Sequence, residues 1–403
     1  MCARGFIVLG MLIAARILGR ELFGQLGIVY ETVMALQVFA VSGLGITATT
    51  FVARCLHAEP ERVPQIMLLC YGFTAFTGGI FAIAIFVGSP WIAAVVLAAP
   101  MLADELSLGG PMALLVALVA VQAGMLIGFK AFRDMAMANF LGGIASATLL
   151  PMGAYRAGVE GALYGLGTAF ALQALLNYVL IRRALRRHGL RMRFSVPLAE
   201  LPLLWRFSLP SVLTVALWTL ATWIASVLLV RQPNGMAEMG LLAAANQWFS
   251  ALLFVPRVLT QVLLPTYAER LAGDRPGEAG ALALRSASIL ILCIAPIVAL
   301  LMIFSPVIAS LYGPDFANGG AVFAVVFLAA GVMAPYGALT NYLVARLRMW
   351  TRFAISLLWT GVLLVGAALL VEWGAIGIAC ATLGAYITRA AVTYIYARRL
   401  MRS

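Results

Sequence analysis

A succession of long apolar runs constrains this chain more than any other feature. A helix needs about 20 apolar residues to cross the hydrocarbon of a bilayer. By that rule spans are expected at 5–18, 26–52, 65–88, 111–129, 136–154, 159–181, 208–230, 240–266, 284–304, 321–343, 353–371 and 375–397. A lipid-exposed strand would leave its backbone polar groups unpaired, so runs of this kind specify helices. The balance of residues agrees: 64% are hydrophobic and 10% charged, with mean hydropathy +1.02. The expected class is therefore all-α, a polytopic membrane protein of about 12 transmembrane helices. The first run is short, which implies a truncated first helix or a start upstream of Met1. It leads directly into further spans, so no cleavable signal peptide is expected.

Basic residues set the orientation, because cytoplasmic joints carry an excess of Arg and Lys. With the N-terminus inside, 21 of the 27 basic residues collect on the inner side; Arg16, Arg20, Arg156 and Arg231 fall outside, and Arg257 and Arg389 lie within spans. Both termini are expected in the cytoplasm. The outer joints hold acids instead, among them Asp104, Glu105, Glu238 and Asp315. The net charge of +12 comes in short clusters between apolar runs, which suits anionic lipid and not nucleic acid.

The chain carries a degenerate internal copy. Gly24 and Gly240 stand 216 residues apart (240 − 24), and the same offset pairs Glu31 with Gln247, Ser89-Pro90 with Ser305-Pro306, Gly158 with Gly374 and Gly161 with Gly377. A constant offset from end to end marks a duplication. With six spans per half, the copies enter from the same side, giving two six-helix lobes related by a parallel internal repeat. The expected domains are 1–185, a basic cytoplasmic linker 186–207 with an interfacial helix over 196–207, and 208–403.

Few residues offer chemistry. No hydrolase, zinc-protease or nucleotide-binding motif occurs in a fitting context, so no catalytic residue, cofactor or metal is expected. Cysteines at 2, 55, 70, 293 and 380 form no ligand cluster and read as small apolar groups in helix contacts. His57 and His188 and the acid pair Asp104-Glu105 read as solvated. Glu31 is the one carboxylate well inside an apolar run. It is either a proton or cation coupling site, or the partner of Arg16 or Arg20 in a pair that pins the first hairpin. Arg257 follows Pro256 in a span with no acid, and Arg389, near the inner end of its span, is expected to snorkel.

Several stretches bear a resemblance to a known family. Ala15-Arg-Ile-Leu-Gly-Arg-Glu-Leu-Phe-Gly24 resembles the signature after the first helix of bacterial polysaccharide exporters of the O-antigen flippase type. Pro210, Leu311-Tyr-Gly-Pro-Asp-Phe316 and Gly374-Ala-Ile-Gly-Ile-Ala379 resemble that family's later motifs, in order and spacing. The resemblance implies a member of the multidrug/oligosaccharidyl-lipid/polysaccharide exporter superfamily in the bacterial inner membrane. Its implied partners are membrane lipids and an undecaprenyl-diphosphate-linked oligosaccharide, with H+ or Na+ coupling. A flippase for the peptidoglycan lipid intermediate and a multidrug cation exporter are the alternatives. Similar flippases line a central cavity with arginines. On that basis Arg16 and Arg20 match by motif, and Arg54 and Arg257 by placement, as head-group ligands. The chain departs from the pattern in span 7, where Thr222-Trp223 stands in place of an acid.

Overall fold

The computed structural model describes residues 2–41, 44–190, 201–272, 276–346 and 348–402, and among them there is no strand. The helices are α1 (Cys2–Val41), α2 (Leu44–Ala58), α3 (Val63–Trp91), α4 (Ala103–Gly128), α5 (Phe132–Arg187), α6 (Leu201–Val230), α7 (Gly235–Leu252), α8 (Phe254–Ala272), α9 (Pro276–Ile303), α10 (Ser305–Ser310), α11 (Gly320–Ala345), α12 (Met349–Leu370) and α13 (Ala375–Arg402). Eight helical stretches among the described residues are long and apolar enough to cross a membrane. One of them, Phe132–Arg187, is folded at Ala157-Gly158 and supplies two crossings. α1, folded at Gly19, gives two further helical limbs and α6 one, none of them among those eight stretches. Counted with these limbs, the helices of the described residues number the twelve expected from the apolar runs.

The joints differ from those anticipated. The gap expected between spans 1 and 2, residues 19–25, is helical except at its first residue. One residue, Gly19 at φ 74 and ψ 174, redirects an otherwise helical chain. A side chain would be strained in that region, so glycine is required there. Asp104 and Glu105, read as a solvated turn, form the first turn of α4, where carboxylates favour the positive end of the helix dipole. The eighth span is two helices, with the break at Leu253 just ahead of Pro256. Proline lacks an amide donor, so it suits the first turn of α8 better than a helix interior.

The repeat is visible in the backbone. Gly158 has φ 58 and ψ −135 inside α5, and its mate Gly374 has φ 70 and ψ −144 just before α13. A Cβ on Gly161 would collide with the carbonyl of Gly153, and one on its mate Gly377 with the carbonyl of Leu370. The same hairpin, closed by the same two glycines, has thus been built twice.

The chain packs as two compact units, residues 1–18 with 25–223, and residues 19–24 with 224–403. The first has a core that includes Val52, Met67, Met125, Phe129, Ala138 and Ile181. The second has one that includes Tyr267, Ala283, Leu339, Tyr342 and Ile355. Large apolar side chains also cover the outside: Phe76 is 67% exposed and Leu292 77%. In water such a surface would aggregate, whereas in lipid it is the solvent-facing side. The interfacial segment expected at 196–207 lies partly outside the described residues, at 191–200, and the side chains of 201–212, Pro210 included, lie outside them too.

Candidate functional site

The stretch Gly19–Gly24 belongs to the second unit and lies backbone to backbone against α7. A Cβ on Gly24 would collide with the carbonyl of Met236, and one on its repeat mate Gly240 with the carbonyl of Arg20. That approach places Arg20 beside the first turn of α7. Its Nε donates to the carbonyl oxygen of Ala237 at 2.8 Å, and its Nη2 pairs with Glu238. The second carboxylate oxygen of Glu238 accepts the Ala375 N–H at 2.8 Å, so it caps α13 where Gly374 starts the helix. Glu238, one of the acids expected in the outer joints, is therefore a structural anion with two partners. Arg20 is correspondingly committed to protein groups.

In the first unit, Arg16 is exposed one turn before Gly19, and Glu31 is half-buried in the second limb of α1. Next to Glu31, Thr32 is fully buried; its Oγ1 donates to the Ile28 carbonyl at 2.7 Å and accepts from Trp223 Nε1 at 3.0 Å. Trp223, which replaces the expected acid of span 7, thus ties α6 to α1 one residue away from Glu31. The second unit has an indole–hydroxyl bond at the repeat mate of Thr32: Trp248 Nε1 donates to Tyr312 Oη at 3.0 Å. Burial raises the Tyr312 phenol above its ordinary pKa, and that indole bond partly offsets the effect. The phenol therefore stays protonated.

The remaining candidates lie elsewhere. Arg54 is exposed in the last turns of α2, and Arg257 is exposed in the first turn of α8. Arg257 forms no ion pair among the described residues. Arg20, at Ala237, and Arg257 are separated by 20 residues of helix (257 − 237), roughly 30 Å along α7 and α8. Arg20 and Arg257, the two candidates in the second unit, are therefore not gathered at one point.

Arg389 does not snorkel. It is 8% exposed, inside the second unit. Its Nε donates to Tyr336 Oη at 2.8 Å and its Nη2 to Ser356 Oγ at 3.2 Å. The guanidinium also stands 4.6 Å from the centroid of the Tyr336 ring and 5.5 Å from that of Trp359. The sequence does carry a signal for this: Thr382, Tyr386, Arg389 and Thr393 recur at three- and four-residue spacing, which puts them on one face of α13. Such a polar stripe points into the bundle, not to lipid.

Residues 1–270 match the model of the family described as polysaccharide biosynthesis protein. The chain belongs to that family. A curated relative, the EPS I polysaccharide export inner membrane protein EpsE of Ralstonia nicotianae, is 27% identical over 194 residues, which cover 46% of this chain and 43% of the relative. EpsE of Ralstonia solanacearum is 35% identical over 69 residues, 17% of this chain and 16% of the relative. This chain thus spans less than half the length of either relative it matches.

Solved transporters share the whole architecture. An inward-facing multidrug resistance MATE family transporter of the MOP superfamily superposes with a TM-score of 0.80 at 16% identity, covering 100% of this chain and 96% of that one. The lipid II flippase MurJ in an inward closed conformation gives 0.76 at 15% identity, covering 98% and 86%. At such identities the likeness establishes the fold alone: an all-α membrane protein with the helix architecture of those transporters.

Proposed function

We propose that this protein is a flippase of the bacterial inner membrane. It would move an undecaprenyl-diphosphate-linked oligosaccharide between leaflets by alternating access of its two lobes. The observation that carries this reading is the match of residues 1–270 to a polysaccharide biosynthesis family on a fold shared with a lipid II flippase. The chemistry agrees. An amphiphile with a charged head and a long lipid tail cannot cross hydrocarbon unaided, and a polytopic bundle can shield the head while the tail stays in lipid. Arginine suits the diphosphate because its planar donors engage two oxygens at once and its charge persists at any working pH.

In this reading Arg16, Arg54 and Arg257 serve as successive head-group ligands along the path. Arg20 joins them only when released from Glu238. Glu31 is the coupling carboxylate for H+ or Na+, and both termini and residues 182–207 face the cytoplasm. The protein performs transport without catalysis. The test is translocation of a fluorescent undecaprenyl-diphosphate oligosaccharide in proteoliposomes, read by accessibility to a membrane-impermeant quencher, together with restoration of surface polysaccharide in a strain lacking the gene. Head-group movement no faster than in empty liposomes, with the protein folded and inserted, refutes it.

A further inference from the structure

Arg389 and Arg352 form a cationic cluster within the second unit, joined through Ser356, that the proposed transport path does not use. Both guanidiniums lie among α11, α12 and α13, and those three helices contain no Asp or Glu. Arg389 has spent two of its five N–H donors on the hydroxyls of Tyr336 and Ser356, which leaves three. Arg352 Nε is buried with no hydrogen-bond partner among the described residues. Arg352 and Ser356 stand one turn apart on one face of α12, so the Arg389 side chain that reaches Ser356 comes to the face that carries Arg352. Four residues on from Arg352, Ser356 donates to the Arg352 carbonyl at 3.0 Å, which fixes the Arg389 partner on the same face. Trp359 Nε1, Thr360 Oγ1 and Thr393 Oγ1 on the same two helices are also buried without a partner among the described residues. The pairs Thr351–Tyr396 and Ser356–Arg389 show that α12 and α13 run antiparallel, so Thr393 lies one turn from Arg389 toward the level of Arg352, and Thr360 one turn from Ser356 the other way.

Two like charges in a low-dielectric interior repel strongly and are costly without a counter-charge. Hydroxyls and aromatic faces solvate a guanidinium in part, but they carry no neutralising charge. The cluster is not general architecture of the repeat. At the offset of 216, Arg352, Ser356, Trp359 and Arg389 fall on Ala136, Phe140, Gly143 and Gln173. None of those is charged. The first unit therefore builds the same helices without the cluster.

We propose that Arg352 and Arg389 bind an oxyanion of the phosphoryl class inside the second unit. Arg389 forms the floor, with its Nε edge already held by protein. Arg352 is half-buried and offers its free Nε edge, a fork that fits two oxygens of one phosphoryl group. Thr393, on the Arg352 side of Arg389, supplies a neutral donor beside it. Arg352 is three residues past the start of α12, Met349, roughly 5 Å along the helix, so the anion enters from that end. The same chemistry is present in free inorganic phosphate and in a phospholipid head group.

The test is equilibrium dialysis of the purified full-length protein, in a zwitterionic detergent, against radiolabelled inorganic phosphate at constant ionic strength. A second arm measures competition by phosphatidic acid in mixed micelles, with phosphatidylcholine as control. One saturable phosphate per chain is expected. Arg352→Gln, at the half-exposed rim, should fold and weaken binding at least tenfold. Arg352→Lys, which keeps the charge and loses the fork, should fall between. Competition by phosphatidic acid at sub-stoichiometric lipid assigns the cluster to a head group, and its absence assigns it to the soluble ion. No saturable binding of either probe, or binding unchanged in Arg352→Gln and Arg389→Gln, overturns the proposal. Transport is not part of the readout, so failure here leaves the flippase reading standing, and failure of that reading leaves this one.

Discussion

Glu238 holds two groups at once, so its loss should be felt in a calculable way. In Glu238→Ala, Arg20 loses its carboxylate and the Ala375 N–H at the start of α13 loses its cap. A hydrogen bond to a charged group contributes about 1.5–3 kcal/mol. The two side chains are 21% and 27% exposed, so partial screening argues for the lower end, about 1.5 kcal/mol. Removing an N-cap acceptor costs about 1 kcal/mol more, for a total of roughly 2.5 kcal/mol. Unfolding entropy is about 2.1 cal/mol/K per residue. If all 403 residues melt together, that total lowers Tm by roughly 3 °C. If the second unit, of roughly 190 residues, melts alone, it lowers Tm by roughly 6 °C. The assay is thermal unfolding in detergent by intrinsic fluorescence, with Arg20→Ala and the double variant completing a cycle. A coupling of about 1.5 kcal/mol is expected. Additive effects, or a Tm of Glu238→Ala within 1 °C of the parent's, would show that the contact is a rim pair of no consequence.

Further outcomes follow from the same contacts and placements. Gly161→Ala should destabilise severely, by more than about 3 kcal/mol, because the collision is with a backbone carbonyl that cannot swing away. Gly167→Ala, where nothing stands within 4 Å of a Cβ, should be neutral or stabilising by up to about 1 kcal/mol; thermal unfolding of both variants decides. Arg257→Ala should abolish surface polysaccharide at equal membrane abundance while Arg257→Lys retains part of it, and full complementation by the alanine variant sinks its role as a ligand. Glu31→Gln should remove the pH or gradient dependence of transport in proteoliposomes, and an unchanged gradient response rules out coupling through that carboxylate. Cysteines placed at Arg193 and Asp315, in a version without native cysteines, should label from the inside and outside respectively; labelling of position 193 in intact cells reverses the topology.

The class of the protein was legible from the chain alone, because hydrocarbon forces every apolar run of sufficient length to be a helix whatever its neighbours do. The duplication was equally legible. A conserved offset survives wherever a backbone conformation demands glycine, as at Gly158 and Gly374. The placement of charge was not. Arg389 reads as a snorkelling residue when its distance along a helix is the one coordinate available, and Glu238 reads as one of several acids in the outer joints. Whether a long polar side chain turns outward or inward depends on which faces of other helices meet it. Tyr336 and Ser356 receive Arg389 from 53 and 33 residues away, and Arg20 reaches Glu238 across 218. Trp223 looked in sequence like a missing acid and proved to be the donor that holds Thr32, at a separation of 191. Local pattern determines helices because their hydrogen bonds are local. Ion pairs and buried arginines are closed by contacts between distant helices, and only their packing decides them.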